Sequence, residues 1–289
     1  MIIPKQPFHF IFKKKTLPSQ TKKQNQMQEL HQDKPRYFEV QYLNSKESIL
    51  PFLAEEFTTF DGKNILEIGS AEGGVLKAFV EKGSKCMGIE LSENRTKLAF
   101  EFQKEEVEKG NINFIAKDIY DIDENGLGTK YDLVILKDVI EHIHDQKKFM
   151  KEVSKFLTPN GVIFFGFPSW RMPYGGHQQT AKSKFASKMP YYHILPKGMY
   201  KAILKISGES KEMIEGLLEV KETRISTKRF ERLCHENNFE IKKRTKYFIA
   251  PIYKYKFGFT PRLLWKWVGA IPFFNDFFTF QSYYVIGKK

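Results

Sequence analysis

The stretch ILEIGSAEGG, residues 65–74, decides the fold of this chain. It begins as an apolar run that contains a single carboxylate, Glu67, and then turns into small residues and glycines. A short apolar run bounded by glycines is typical of a buried strand. With so little side-chain bulk after the strand, the backbone amides of the loop and of the following helix can approach a polar ligand closely. The stretch therefore predicts a strand, a ligand-binding loop and a helix in succession.

Strands and helices alternate on both sides of this stretch. The pattern predicts strands over 64–68, 85–90, 112–116, 131–137 and 161–167, with helices over 74–83, 92–110 and 146–157. Such alternation indicates a parallel sheet that is covered on both faces. A helix over 226–238 and strands over 239–250 and 277–287 follow, and we expect the two strands to form an antiparallel pair at one edge. The fold class is therefore α/β: a doubly wound, mostly parallel Rossmann-like sheet of seven strands whose last strand is antiparallel.

The regular alternation stops in two places. Residues 168–225 hold prolines, basic residues and two helical stretches, and we interpret them as an inserted helical cap over the substrate. Residues 249–278, between the last two strands, form an aromatic loop. We assign 27–289 to one domain and predict that 1–26, which holds six lysines and no acidic residue, is a disordered basic tail. Met27 is an alternative start to Met1.

Composition limits the classes of protein that remain. The formal net charge of +13 is compatible with an anionic partner without proving one. Two widely separated cysteines, Cys86 and Cys234, are expected to be reduced core thiols of a cytoplasmic protein. No apolar run reaches membrane-spanning length.

A second carboxylate supports a nucleoside ligand. Glu90 ends the second predicted strand, 21 positions after Gly69. A carboxylate at this place can accept hydrogen bonds from both hydroxyls of a ribose. A glycine loop alone is as compatible with a plain tight turn as with a nucleoside-binding site. The correctly spaced carboxylate makes nucleoside binding the stronger interpretation.

The order of these residues separates two cofactor classes. Dinucleotide sites use G-x-G-x-x-G, whereas this loop is acid-x-G-x-A-x-G from Glu67 to Gly73. With LEIGSAEGG, GIELSEN, AKDIYDI and YDLVILKDVIEHIHD…LTPNGVIFFGFP in this order, the chain resembles the class I S-adenosylmethionine-dependent methyltransferases over 36–168 and the final strands. It departs from them at Ala71, where many members have glycine.

The resemblance implies S-adenosylmethionine as the cofactor and a role for each matching position. It implies that the loop lines the methionine part, that Glu67 supports the loop or the cofactor's ammonium, that Glu90 binds the ribose and that Leu91 packs on adenine. It also implies that the adenine edge is recognised by a pair after the third strand, and that a lysine ending the fourth strand lies beside the methionine part. These remaining positions are Gly69, Ser70, Ala71 and Gly73 for the loop, Asp118 and Ile119 for the adenine edge, and Lys137 for the lysine.

The candidate catalytic residues follow the fourth and fifth strands. In KDVIEHIH, Asp138, Glu141 and His142 have the spacing of one helical face, and His177 follows the fifth strand at the same end of the sheet. Three interpretations stay open. Glu141 and His142 brace the turn; His177 or His142, with Asp138, acts in general base catalysis; or all four bind a divalent metal, which resembles the small-RNA terminal-ribose methyltransferases and some quinone methyltransferases.

The identity of the methyl acceptor is the functional property that the sequence determines least. The aromatic loop mixes Tyr, Trp, Phe and Lys, a composition suited to a membrane interface, to a lipid or glycan acceptor, to base stacking, or simply to a small second core. We expect a small-molecule, lipid or saccharide acceptor, with peripheral membrane contact through this loop as a further hypothesis and nucleic acid less favoured. The alternatives are a metal-assisted RNA ribose methyltransferase and a catalytically silent cofactor-binding protein.

Overall fold

The fold is built around one mixed sheet. The computed structural model describes residues 32–123 and 125–289, so the tail predicted over 1–26 lies outside the described residues. The strand order is β3-β2-β1-β4-β5-β8-β6-β7. The strands are β1 (Asn64–Ile68), β2 (Lys85–Glu90), β3 (Ile112–Ala116), β4 (Tyr131–Lys137), β5 (Leu157–Phe167), β6 (Phe239–Ile249), β7 (Arg262–Leu263) and β8 (Gln281–Lys288).

The predicted fold class is confirmed. Strands β1 to β5 are parallel to one another, and β8 is antiparallel to both β5 and β6. One strand more than the predicted seven is present, because Arg262–Leu263 pairs with the end of β6 inside the segment predicted as an aromatic loop. The last strand begins at Gln281 rather than 277, since Phe274–Phe278 forms a 3-10 helix instead.

Helices cover the sheet and form the inserted segment. The α-helices are α1 (Lys34–Asn44), α2 (Leu50–Leu53), α3 (Gly74–Val80), α4 (Glu93–Phe102), α5 (Lys104–Glu108), α6 (Gln146–Ser154), α7 (Lys184–Lys188), α8 (Lys197–Ile206), α9 (Lys211–Thr223), α10 (Thr227–Glu236), α11 (Tyr253–Phe257) and α12 (Lys266–Gly269), with a π-helix at Ser45–Ile49. The helix predicted over 92–110 is interrupted at Gln103. The side chain of Gln103 donates a hydrogen bond to the carbonyl of Gly73, and this tertiary contact fixes the break.

The direction of the strand order reverses between β1 and β4. Ligands of doubly wound sheets bind at such a switch point, outside the carboxyl ends of the strands. Strands β1, β2 and β4 end at Ile68, Glu90 and Lys137. The residues predicted to bind the cofactor therefore lie at or directly after this edge of the sheet.

Separate apolar clusters support the two faces of the sheet and the inserted segment. One cluster on each face of the sheet joins the strands to their covering helices. The inserted segment has a small core of its own, which includes Tyr192, Tyr200 and Leu217. It is therefore an independently packed layer, and its role as a substrate cap stays a prediction.

Cys86 and Cys234 are buried and free, as expected. Among the described residues, no helix has the length and apolar character needed to cross a membrane.

Candidate active site

Three residues of the loop after β1 adopt the left-handed backbone region. Gly69, Ala71 and Gly73 all have positive φ, at 77°, 50° and 83°. A Cβ on Gly69 would lie 2.7 Å from Cγ2 of Val139, so both the conformation and the space at this position favour glycine. Ala71 adopts the left-handed region with a side chain present, which explains why glycine is common there in similar sequences and why alanine costs some free energy.

Gly73 has a packing role. A Cβ there would lie 2.6 Å from Nε2 of Gln103 and 2.7 Å from the ring of Phe114. The side of Gly73 that lacks a side chain therefore faces the protein. The predicted contact of Gly73 with the cofactor stays a prediction. It would be made by the backbone of Gly73, because the space beside its Cα is filled by protein.

Glu90 connects the end of β2 to the loop. Its Oε2 accepts a hydrogen bond of 2.9 Å from the amide of Ala71, and its Oε1 accepts one of 3.0 Å from the amide of Ser92. A carboxylate has about four acceptor positions, so two remain for a ligand. Glu90 thus fixes the loop and keeps the capacity to bind ribose hydroxyls.

A small cavity of about 90 Å³ lies between the loop and helix α1. Some of the residues that line this cavity were not predicted from the sequence. They include Tyr37, Phe38 and Gln41 from α1, and Arg95 from α4. A water molecule occupies roughly 30 Å³ in the liquid, so the cavity has room for only a few polar atoms. A whole nucleoside does not fit in it. The predicted residues that line it are Glu67, Gly69, Ser70, Ala71, Lys137 and Asp138.

The floor of this cavity is charged and buried. Glu67 is 2% exposed, and its Oε2 has no hydrogen-bond partner among the described residues. Burial raises the pKa of Glu67 well above its ordinary value, although the charge of Lys137 opposes this shift. Burial lowers the pKa of Lys137, but the Asp138 carboxylate, 2.5 Å from its Nζ, together with Tyr37 and Tyr283 leaves this pKa raised. A cationic ligand group beside Glu67 would restore its usual ionisation.

The predicted adenine contacts lie along the open edge next to the cavity. Leu91 is 71% exposed directly after Glu90. The carboxylate of Asp118 accepts a hydrogen bond of 3.0 Å from the amide of Tyr120, and so caps a 3-10 turn. Ile119 is buried in the main core, which leaves its backbone rather than its side chain to meet a ligand. The cavity does not include these three residues, and their roles stay predictions.

A second group of functional side chains lies where β4 and β5 end. Glu141, His142 and His177 each offer a ligand atom, and these atoms all lie within 4.8 Å of one another. The two imidazole rings meet edge to face with centroids 5.2 Å apart. The structure therefore brings together three of the four residues proposed from the sequence. Asp138 lies outside this group, since its carboxylate binds Lys137 and accepts a hydrogen bond of 3.3 Å from Gln281.

Burial controls the ionisation of this group. Glu141 is 3% exposed, and neither of its carboxylate oxygens has a hydrogen-bond partner in the described part of the chain. Burial and then the charge of Asp138 raise the pKa of Glu141 well above its ordinary value. Burial and then the charge of His142 lower the pKa of His177 to about 4. Desolvation also lowers the pKa of His142, although its side chain reaches the surface and the charges of Asp138 and Glu219 oppose the shift. The apo group therefore holds neutral imidazoles beside a carboxyl group that is costly to ionise.

The turn that contains Ile140 and Glu141 is braced through its main-chain carbonyl groups. The hydroxyl of Thr223 donates a hydrogen bond of 2.5 Å to the carbonyl of Glu141, and Gln146 donates one of 3.2 Å to that of Ile140. The main chain of the turn is thus held by side chains from helices α9 and α6. The carboxylate of Glu141 is not needed for this bracing.

The two glycines before His177 fit the protein's own chain. A Cβ on Gly175 would lie 2.0 Å from the carbonyl oxygen of Trp170, and one on Gly176 would lie 2.5 Å from Cβ of His193. The chain therefore packs closely against itself at both glycines, within the inserted segment. His177 follows them with a positive φ of 58°.

Lys256 is a further charged residue near this site, and the sequence pattern did not identify it. This half-buried residue of α11 lies in the field of Lys137, Asp138 and His177. Burial and then the charge of Lys137 lower the pKa of Lys256 to about 8, while Asp138 opposes the shift. Its mixed aromatic and basic surroundings carried no periodicity that would have identified it. Helix α11 packs on α1, so the segment between β6 and β8 also reaches the roof of the cavity.

The family of the chain follows from a match over most of its length. The family model described as a methyltransferase domain matches residues 38–243, which include the loop, Glu90 and the Glu141–His177 region. The chain belongs to this methyltransferase domain family. The resemblance to class I S-adenosylmethionine-dependent methyltransferases is thereby confirmed, and with it the enzyme class and the cofactor expected for the family.

Curated relatives match the chain over a shorter range. (S)-tetrahydroprotoberberine N-methyltransferase of Eschscholzia californica is 29% identical over 105 residues, covering 36% of this chain and 29% of the relative. Ubiquinone biosynthesis O-methyltransferase of Coxiella burnetii is 24% identical over 111 residues, covering 38% and 46%. The chain thus matches less than half the length of these two relatives.

Solved structures confirm the fold over nearly the whole chain. An S-adenosylmethionine-dependent methyltransferase from Clostridium acetobutylicum has a TM-score of 0.55 at 13% identity, covering 91% of this chain and 98% of the other. Magnesium protoporphyrin IX methyltransferase from Synechocystis with bound S-adenosylhomocysteine has a TM-score of 0.52 at 12% identity, covering 92% and 100%. At these identities the likeness concerns the fold alone.

Proposed function

We propose that the chain is an S-adenosylmethionine-dependent methyltransferase that acts on oxygen or nitrogen of a small-molecule, lipid or saccharide acceptor. The observation that carries this proposal is the Glu90-anchored loop beside a polar cavity, within a chain of the methyltransferase domain family. Relatives named as an N-methyltransferase and an O-methyltransferase support both kinds of acceptor atom.

The cavity suits the amino-acid end of the cofactor. Glu67, buried with an unpartnered oxygen, would bind its ammonium, and Arg95 on the cavity wall would face its carboxylate. Glu90 would accept from the ribose hydroxyls, while Leu91 and Asp118 would contact adenine along the open edge. When bound, the cofactor supplies an electrophilic methyl group on a sulfonium. The residues of this chain then align the acceptor with that methyl group and exclude water, which provides much of the rate of an in-line displacement.

The acceptor must lose a proton when it is a hydroxyl, and the chain offers two ways to assist. A neutral His177 can accept a proton, but a pKa of about 4 makes it a weak base near pH 7. The same neutral imidazoles, together with the unpartnered Glu141 carboxylate, are suitable metal ligands. Two imidazoles and one carboxylate suit a transition metal better than magnesium.

We therefore propose that Glu141, His142 and His177 hold a divalent transition-metal ion. Asp138, the fourth candidate ligand, would instead keep Lys137 in place. The ion would polarise the acceptor oxygen and lower its pKa, which the imidazoles alone cannot do efficiently. General base catalysis by His177 is the competing mechanism.

The test combines cofactor binding, turnover and metal binding. We expect calorimetry to show S-adenosylmethionine binding to the full chain, and cell extract to stimulate its conversion to S-adenosylhomocysteine. His177→Ala should abolish turnover with nearly unchanged cofactor affinity. Binding without any turnover would indicate a silent cofactor-binding protein, and absence of binding would contradict the proposed function.

The metal is tested on the protein directly. After treatment with a chelator, calorimetry should show one bound Mn²⁺ or Zn²⁺ per chain, and this binding should be lost in Glu141→Gln. His144→Asn is a matched control, because His144 is an exposed histidine outside this group that lies 3.4 Å from Glu219. Turnover that survives the chelator, together with absent metal binding, would leave His177 as the base.

A further inference from the structure

The segment between β6 and β8 concentrates the exposed apolar side chains of the protein. Of the thirteen large apolar side chains exposed in the described residues, seven fall within residues 263–278. We call this region the aromatic surface. It comprises Leu263, Trp265, Trp267, Ile271, Phe273, Phe274 and Phe278, with exposed fractions between 41% and 70%. Such a concentration marks an interaction site, since single exposed apolar residues are common but clustered ones are not.

The segment is held in place from beneath by a buried polar network. Asp276 is fully buried and accepts hydrogen bonds from Nη1 of Arg171 at 3.1 Å and from the amide of Thr227 at 3.0 Å. Asn275 donates to the carbonyl of Gly269 at 3.3 Å and accepts from Lys246 at 3.3 Å. These contacts connect the segment to the inserted segment, to α10 and to β6. The aromatic side chains therefore point outward from an ordered support.

The charges around the aromatic surface have one sign. Its two exposed charged residues are Arg262 and Lys266, and neither has an ion-pair or hydrogen-bond partner for its side chain within the described part of the chain. The one acidic residue of the segment is Asp276, whose carboxylate is buried and already bound. One exposed cation lies three residues before Trp265 and the other lies between Trp265 and Trp267, and both complement an anionic partner.

We propose that the aromatic surface binds the surface of an anionic lipid bilayer. Trp265 and Trp267 stack with ring centroids 6.4 Å apart and are 50% and 70% exposed, so both indoles can enter the interfacial layer together. Tryptophan favours this layer because its ring is apolar while its N–H needs a polar partner. Arg262 and Lys266 would meet the lipid phosphates. This interaction is independent of the methyl-transfer chemistry proposed above.

The experiment uses the full chain and vesicles of defined composition. Co-sedimentation is measured with vesicles of phosphatidylcholine and phosphatidylglycerol in a three-to-one ratio, and with phosphatidylcholine alone. We expect binding to the anionic vesicles, with a loss of about tenfold or more in partitioning for Trp265→Ser/Trp267→Ser and for Arg262→Gln/Lys266→Gln. Phe185→Ser is the matched control, because this aromatic residue is 64% exposed on α7, outside residues 263–278, and its replacement should leave partitioning unchanged.

A second readout keeps the proposal testable if a variant folds poorly. Two of the three tryptophans, Trp265 and Trp267, lie in the aromatic surface, and the third is Trp170. The fluorescence of the unmodified chain should shift to shorter wavelength on vesicle binding and should be quenched by brominated lipids. Unchanged fluorescence, or vesicle binding that the tryptophan and cation variants retain in full, would overturn the proposal. Self-association that these variants abolish, without vesicle binding, would identify a second copy of the chain as the partner instead.

Discussion

The amide of Ala71 donates a hydrogen bond to the carboxylate of Glu90 over 2.9 Å, so the residue that ends β2 holds the turn that follows β1. Two elements that the sequence analysis treated separately are thus one unit. A ligand that contacts Glu90 also contacts a residue that fixes the loop.

Replacement Glu90→Ala should weaken S-adenosylmethionine binding by at least two orders of magnitude. It removes two hydrogen bonds to a charged acceptor, each worth roughly 1.5–3 kcal/mol, and it also releases the loop. Calorimetric titration of the folded variant measures this loss. The control is Glu101→Ala, whose exposed side chain has no hydrogen-bond partner in the described residues. Unchanged affinity in folded Glu90→Ala would refute the assignment of the cofactor site.

Replacement Ala71→Gly should keep cofactor binding and stabilise the protein slightly. Ala71 has a φ of 50°, and relief of left-handed strain is worth about 1 kcal/mol, partly offset by the greater freedom of glycine in the unfolded chain. Thermal unfolding with and without S-adenosylhomocysteine measures both effects. A lowered melting temperature would contradict this explanation of the alanine.

Stability should fall as the solution is acidified from about pH 6.5 to about pH 4. Burial lowers the pKa of His193 from 6.5 to about 4, against the effect of its hydrogen bond with the carbonyl of Trp170. Between these values the unfolded chain binds the proton and the folded chain does not, so lowering the pH favours unfolding. Urea unfolding at a series of pH values measures the slope. His193→Gln should flatten it, and stability that rises on acidification would contradict the assignment.

The amine of Lys256 should titrate near pH 8, below its ordinary value of 10.5, because burial and then the charge of Lys137 lower its pKa. Competitive acylation followed by mass spectrometry over a pH series measures this titration. Asp138→Asn should lower the midpoint further, since Asp138 stabilises the charged form. A midpoint near 10.5 in the unmodified chain would show that Lys256 points to solvent.

Much of the fold was predictable because its signals are local. The bounds of β1, β2, β3 and β4 agree with the predicted strands, since short apolar runs between glycines and helix caps leave little choice. Ser92 caps α4 through a hydrogen bond of 3.4 Å from the amide of Arg95, and the capping residue is again a near neighbour in the chain. The break at Gln103 was not predictable, because a residue 30 positions away supplies its partner.

The sequence by itself determined the order of the strands and helices, the positive-φ loop after β1 and the carboxylate at the end of β2, because each depends on neighbouring residues. Only the tertiary structure decided that α1 covers the cavity, that Lys256 reaches the charges of Lys137 and Asp138, and that His177 meets Glu141 and His142 while Asp138 does not. These relationships join segments far apart in the chain. They arise from the packing of the inserted segment and of the β6–β8 connection on the sheet, for which the local pattern of residues carries no signal.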